Sequence, residues 1–214
     1  MIFKKAFAVA LIASITLTGC SSSQLYAKDK KDGVYFTLPN GWKKISQSEL
    51  NKRESESKAS GAADRLSLVS WQEAYSRKGE AVPKDVFSLN SPKSPLVYVR
   101  VRSLSMDETQ SISYNSLRDI IVPLTKWINN GNPTQDFALV NDFEAVQGKA
   151  RGVQTTFSFI GSDGIDQTIN QISMVSEDRS KIYVLLVRAS TKDYLANEKM
   201  LNKIANSFTI RGPK

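Results

Sequence analysis

The clearest hydrophobic pattern begins at Leu96. Val97, Val99 and Val101 alternate with Tyr98, Arg100 and Arg102, the period of two expected of a strand with one apolar and one polar face. From Ser113 to Asn129 the period changes. Tyr114, Leu117, Ile120, Ile121, Leu124, Trp127 and Ile128 recur at helical spacing, which predicts a helix that Pro123, lacking a donor, kinks or splits. Four strands are predicted over 137–146, 152–160, 167–175 and 181–189. Turns at Gln147-Gly148, Gly161-Ser162-Asp163-Gly164 and Glu177-Asp178-Arg179-Ser180 join them into an antiparallel run. Ile182 to Val187 is nearly all apolar, so this strand belongs at the centre of a sheet covered on both faces. Thr191, with Asp193 in the first turn, opens a closing helix with Tyr194, Leu201, Ile204 and Phe208 on one face.

The N-terminal half is less regular. Val34 to Leu38 has strand character and is stopped by Pro39-Asn40-Gly41, after which Trp42 restarts the chain. Ser46-Gln47-Ser48-Glu49 fits a capping box, but the helix it opens holds Leu50 as its one large apolar residue through about Ser57. That pattern predicts a weak, solvent-facing or disordered segment. Leu66 to Trp71 is a short strand candidate. The polar stretch 72–95, with Pro83 and Pro92, is long for a connection inside a domain and is either a functional loop or an element without a clear signature. Together the elements describe one α+β domain over residues 33–214, a mainly antiparallel sheet with helices packed over it.

Residues 1–20 carry a different signal. Lys4 and Lys5 precede an apolar run from Ala6 to Leu17, too short and wrongly flanked for a membrane span. The run ends in Leu17-Thr18-Gly19-Cys20, which resembles the lipobox of bacterial lipoproteins. The resemblance implies that residues 1–19 are a signal peptide and that Cys20 is the lipid-attachment residue, its sulfur a thioether. Two acyl chains on Cys20 give stable anchoring where one is marginal. Such a chain is extracytoplasmic and held on the bacterial membrane. Residues 20–32, rich in Ser and Lys, are read as the lipidated cysteine and a flexible tether.

The segment Phe36-Thr37-Leu38-Pro39-Asn40-Gly41-Trp42, the meander ending Ile182-Tyr183-Val184-Leu185, and the close Tyr194…Ile204-Ala205-Asn206-Ser207-Phe208 resemble PsbP-like domains over about residues 33–211. Departures fall at 46–65 and 72–95. The resemblance implies an α/β/α sandwich and non-enzymatic support or binding roles, but fold alone does not assign function.

Composition narrows the chemistry further. The 214-residue chain has no histidine and one cysteine, which excludes Ser-His-Asp and Cys-His catalysis, His-bearing metal sites and an intramolecular disulfide. Its net charge is +8. For an exported chain this points to anionic headgroups, wall polymers or an acidic envelope protein and away from nucleic acid, unless the charge serves solubility alone.

Few residues offer chemistry. Ser55-Glu56-Ser57-Lys58 has Ser-Lys spacing but lacks the apolar enclosure that a lowered lysine pKa needs. Asp163-Gly164-Ile165-Asp166 superficially resembles a calcium loop, yet reads better as hairpin chemistry. Met106-Asp107-Glu108 places acids ahead of a helix, where they serve its N-terminus. No catalytic residue, metal or cofactor is expected. Tyr98, Arg100 and Arg102 share one strand face and are the candidate surface for an anionic partner, a face covered by helices with local ion pairs being the other reading. Trp42, Trp71 and Trp127 line a groove or fill the core. The expected function is a lipid-anchored binding or assembly-support module of the cell envelope. A small-molecule-binding lipoprotein or an envelope hydrolase without a His-dependent site is the alternative.

Overall fold

The structure, a computed structural model, describes residues 24–130 and 136–211. In chain order its elements are β1 (Gln24–Asp29), β2 (Val34–Pro39), β3 (Lys43–Ile45), α1 (Gln47–Ser55), α2 (Ala62–Ser67), β4 (Val69–Ser76) and α3 (Pro83–Val86). There follow β5 (Leu96–Ser103), α4 (Met106–Ser111), α5 (Tyr114–Arg118), α6 (Leu124–Asn130), β6 (Ala138–Gln147), β7 (Ala150–Ile160), β8 (Asp166–Val175) and β9 (Lys181–Ser190). The chain closes with α7 (Thr191–Ala196), α8 (Glu198–Asn206) and β10 (Thr209–Ile210). The signal peptide and Cys20 read from the sequence lie outside the described residues. Among the described residues no helix is long and apolar enough to cross a membrane.

Seven strands form an antiparallel sheet in the order β3-β4-β5-β9-β8-β7-β6, and β1-β2-β10 form a smaller second sheet. The alternation in β5 and β9 divides the core in two. Val97, Val99, Val101, Tyr183, Leu185 and Val187 face one way, onto Phe36 and Leu38 of β2 and Leu201 and Ile204 of α8. Tyr98, Ile182, Val184 and Leu186 face the other way, in a cluster with Leu50 of α1, Val86 of α3, Leu117 of α5 and Trp127 of α6. The sheet is therefore sandwiched between helical layers, as the α/β/α expectation has it, with the small sheet added to one layer.

The meander follows its sequence pattern, and β9 is buried from Ile182 to Ala189. Pro123 splits the long helical pattern. Helix α5 ends at Arg118, α6 begins at Leu124, and the Trp127 N–H donates to the Pro123 carbonyl at 3.0 Å. The Ser46–Glu49 capping box forms, and Leu50 is fully buried, so α1 is an ordered helix. Ser190, not Thr191, caps α7, its hydroxyl accepting from the Asp193 N–H at 3.1 Å.

Three further expectations need correction. The strand sought at 66–71 begins at Val69 and continues to Ser76, inside the stretch read as a connection, while α2 occupies the residues before it. The same stretch also contains α3, whose four residues are too few to show a period. The third correction concerns the tether. Residues 24–29 are not flexible spacer but strand β1, paired with β2 from Gln24↔Pro39 to Asp29↔Val34. Ala27 is the buried residue of β1, too small and solitary to give an alternation signal. The turn that follows delivers Asp32, completely buried, to the Lys181 ammonium and to the Ser70 hydroxyl, which donates to it at 2.7 Å.

Burial pushes the Asp32 carboxyl up, but the bonds from Lys181 and Ser70 outweigh it and hold the carboxyl below its ordinary range. Removing it strands Lys181, which is still a quarter exposed and can partly rehydrate. We predict that Asp32→Ala lowers unfolding stability by about 2 kcal/mol at neutral pH in urea titration. A change within experimental error would show that the turn after β1 is not tied to the domain.

Candidate functional site

Because β5 alternates, Tyr98, Arg100 and Arg102 project onto the face covered by α1 and α4. Arg100 Nη1 donates to both oxygens of Glu54, at 2.9 and 3.1 Å, and to the Tyr98 hydroxyl at 3.3 Å. Tyr98 donates in turn to Gln72 Oε1 at 2.6 Å. Gln72 Nε2 then reaches Asn51 Oδ1 at 2.8 Å and Glu54 Oε2 at 3.2 Å, closing a network between the sheet and α1. Arg102 makes a two-pronged pair with Glu108 at 2.9 and 2.7 Å. Glu108 also accepts from the Ser105 N–H at 2.9 Å in the capping box of α4.

The guanidinium groups expected to meet an outside anion are thus already engaged by Glu54 and Glu108, and the helix-covered face with local ion pairs is the arrangement present. Tyr98 is 6% exposed, and burial pushes its hydroxyl up to about 12. The hydrogen bonds from Arg102 bring Glu108 down to about 2. Neither group changes charge near neutral pH.

Helices α1 and α2 do not meet the α5–α6 connection across the sheet. Between them a cleft of about 330 Å³ stays open over β5 and β9. Val184 and Leu186 lie beneath it, and Ile120 and Ile121 of the connection form a wall. Four arginines line it, Arg65, Arg100, Arg102 and Arg188, against one acid, Glu54. The site is therefore an apolar track edged by an excess of positive charge.

Arg188 is the unexpected member. It continues the inward positions Ile182, Val184 and Leu186 of β9, stands opposite Leu96 of β5, and is 2% exposed. Among the described residues it has no acidic ion-pair partner. Instead Nη1 donates to the Ser88 carbonyl at 2.7 Å and Nη2 to the Asn90 carbonyl, while Nε is buried without a partner. Burial draws its pKa down to about 10, leaving it a cation at neutral pH. These bonds strap the segment after α3 across the end of β9. Gln167 Nε2 holds the Leu89 carbonyl, the Ser91 N–H donates to Asp163 Oδ2 at 3.0 Å, and Phe87 stands edge-on to Tyr98 with ring centres 6.0 Å apart.

The remaining candidates fall elsewhere. Asp163 caps its own hairpin and the strap. Ser55 donates to the Lys52 carbonyl within α1 at 2.8 Å, and Lys58 is exposed. Trp42, Trp71 and Trp127 are core residues. Sequence reasoning missed Arg188, Glu54 and Arg65. Extending the period of two beyond Leu186 finds Arg188, but the partners of Arg100 depend on how α1 folds over the sheet and have no local signal.

Glu108 sets a pH dependence. Its folded pKa lies below the ordinary 4.5, so its pairing contributes fully above that value and is lost as pH falls toward about 2. We predict that Glu108→Gln is less stable than wild type at pH 7 and that the difference narrows between pH ~4.5 and ~2 in urea titrations. A gap constant across this range would remove the pair from the acid response.

No family model matches the chain, and no curated protein matches it in sequence. Solved structures do match in fold. The solution structure of cyanobacterial PsbP (CyanoP) from Synechocystis sp. PCC 6803 superimposes with a TM-score of 0.50 at 14% identity, covering 93% of this chain and 98% of that one. LpqN, involved in cell envelope biogenesis of Mycobacterium tuberculosis, gives 0.49 at 14% identity over 89% and 91% of the two chains. The Saccharomyces cerevisiae Ran-binding protein Mog1p gives 0.45 at 10% identity over 89% and 96%. The similarity to CyanoP shows a PsbP-like fold, and at this identity it shows the fold alone.

Proposed function

We propose that the protein is a lipid-anchored, extracytoplasmic binding module of the bacterial envelope that acts without turnover, and that it holds its ligand in the cleft over β5 and β9. The observation that carries this reading is the cleft itself, an opening over β5 and β9 lined by four arginines and one acid. Proton transfer near neutral pH works best with groups that titrate there. Around the cleft, Tyr98 at about 12, Glu108 at about 2 and Arg188 at about 10 each keep one charge state. Such fixed charges suit recognition better than acid-base chemistry.

The anchor rests on the lipobox-like Leu17-Thr18-Gly19-Cys20. In this reading the partners are the membrane, through the lipid on Cys20, and an envelope protein to or from which the ligand passes. No nucleic acid is involved. The Ser55-Lys58 hydrolase alternative gains no support, because the Ser55 hydroxyl is spent on its own helix.

We predict that Cys20→Ser moves the protein from the membrane to the soluble extracytoplasmic fraction. Membrane association of the variant that survives alkaline washing would contradict the anchor.

A further inference from the structure

We propose that the ligand of the cleft is a single-chain amphiphile with an anionic head, carboxylate or phosphate, its chain lying along β9 and its head at Arg65 of α2, beside Arg100 of β5. This rests on the reading that the cleft is the binding site.

The shape argues for a chain. Ile182, Val184 and Leu186 are alternate residues of one strand, so they form a straight apolar track of about 13 Å at ~3.3 Å per residue. Ile120 and Ile121 face the same cleft, and its volume of about 330 Å³ falls at the small end of ligand sites. A narrow apolar trough suits an extended hydrocarbon better than a ring system or a two-chain lipid. At the far end the trough meets the segment Val86–Leu89, held down by Arg188.

The charge argues for an anion at the other end. Across the strands Arg100 pairs with Val184 and Arg102 with Ile182, so the apolar track runs beside both guanidinium groups. Glu54 and Glu108 balance these two; of the other two arginines, Arg188 is spent on the Ser88 and Asn90 carbonyls at the far end, and Arg65 is left over. Arg65 is exposed at the mouth, its side chain donates to the Ser60 carbonyl at 3.0 Å, and among the described residues it pairs with no acid. Its carbonyl meets Arg100 Nη2 at 3.5 Å, so backbone contact fixes it beside the paired arginine. Arg100 Nε is itself buried without a partner. A neutral head leaves this excess unanswered and a cationic head meets repulsion, whereas an anion completes it.

The test is calorimetric titration of the purified, exported Cys20→Ser protein, free of detergent, with decanoate and decyl phosphate below their micelle concentrations. Decanol and decyltrimethylammonium serve as neutral and cationic controls. At least one anion binds one-to-one and about tenfold or more tightly than either control. Binding of one and not the other identifies the head group as carboxylate or phosphate. Arg65→Glu, at an exposed position that spares the core, weakens the anion about tenfold and leaves decanol unchanged. Ile121→Trp, at a half-buried wall position, blocks all of the chains. Anions that bind no better than decanol, or equally well to Arg65→Glu, overturn the head-group assignment. If Ile121→Trp still removes decanol binding in that case, the cleft stands as the site; anion binding that survives both substitutions overturns the cleft as well. The anchor is scored separately by where Cys20→Ser fractionates.

Discussion

The ion pairs on the polar face of β5 hold the helices over that face in place. Helix α1 buries Leu50 alone and α4 buries none of its six residues, so hydrophobic contact accounts for little of their attachment. Helices this short are marginal in isolation. What fastens them to the sheet is Arg100 with Glu54 and Arg102 with Glu108, the second pair two-pronged and reinforced by the Ser105 cap. Here a strand supplies the cations, helices supply the acids, and the geometry of the forks sets where each helix sits.

The cleft follows from that mode of attachment. Helices held by a few polar bonds need not close over the sheet as an apolar layer would. On the other side Pro123 breaks the helical run, which leaves Ile120 and Ile121 in a connection that borders the opening without covering it. Arg188 finishes the enclosure by holding two carbonyls of the segment after α3. A buried cation without an acid partner is costly, and carbonyl dipoles offset only part of that cost. Such a strap is a candidate for local opening, since its hold is a handful of hydrogen bonds at the rim of the sheet.

Most of the sheet was legible in the sequence because its strands alternate strongly or run continuously apolar. The alternation of β5, the central placement of β9 and the break at Pro123 all follow from local pattern. Elements whose stability comes from distant partners left no such trace. Strand β1 buries the small Ala27, and Asp32 depends on Lys181, far away in sequence. At the candidate site, the alternation placed Tyr98, Arg100 and Arg102 on one face of β5, where α1 and α4 cover them. Sequence reasoning could not find that Glu54, in a helix with one buried residue, would neutralise Arg100, and it missed Arg188 although the alternation of β9 extends to it.

Charge pairs, more than apolar packing, fix α1 and α4 over the polar face of β5. Hydrogen-exchange mass spectrometry of Arg100→Met and Arg102→Met tests it most directly, because a methionine keeps much of the apolar stem while removing the fork. The account predicts that amides of Gln47–Ser55 lose protection in the first variant and those of Met106–Ser111 in the second, with β7 and β8 unchanged in both. Wild-type protection of both helices in these variants would contradict it.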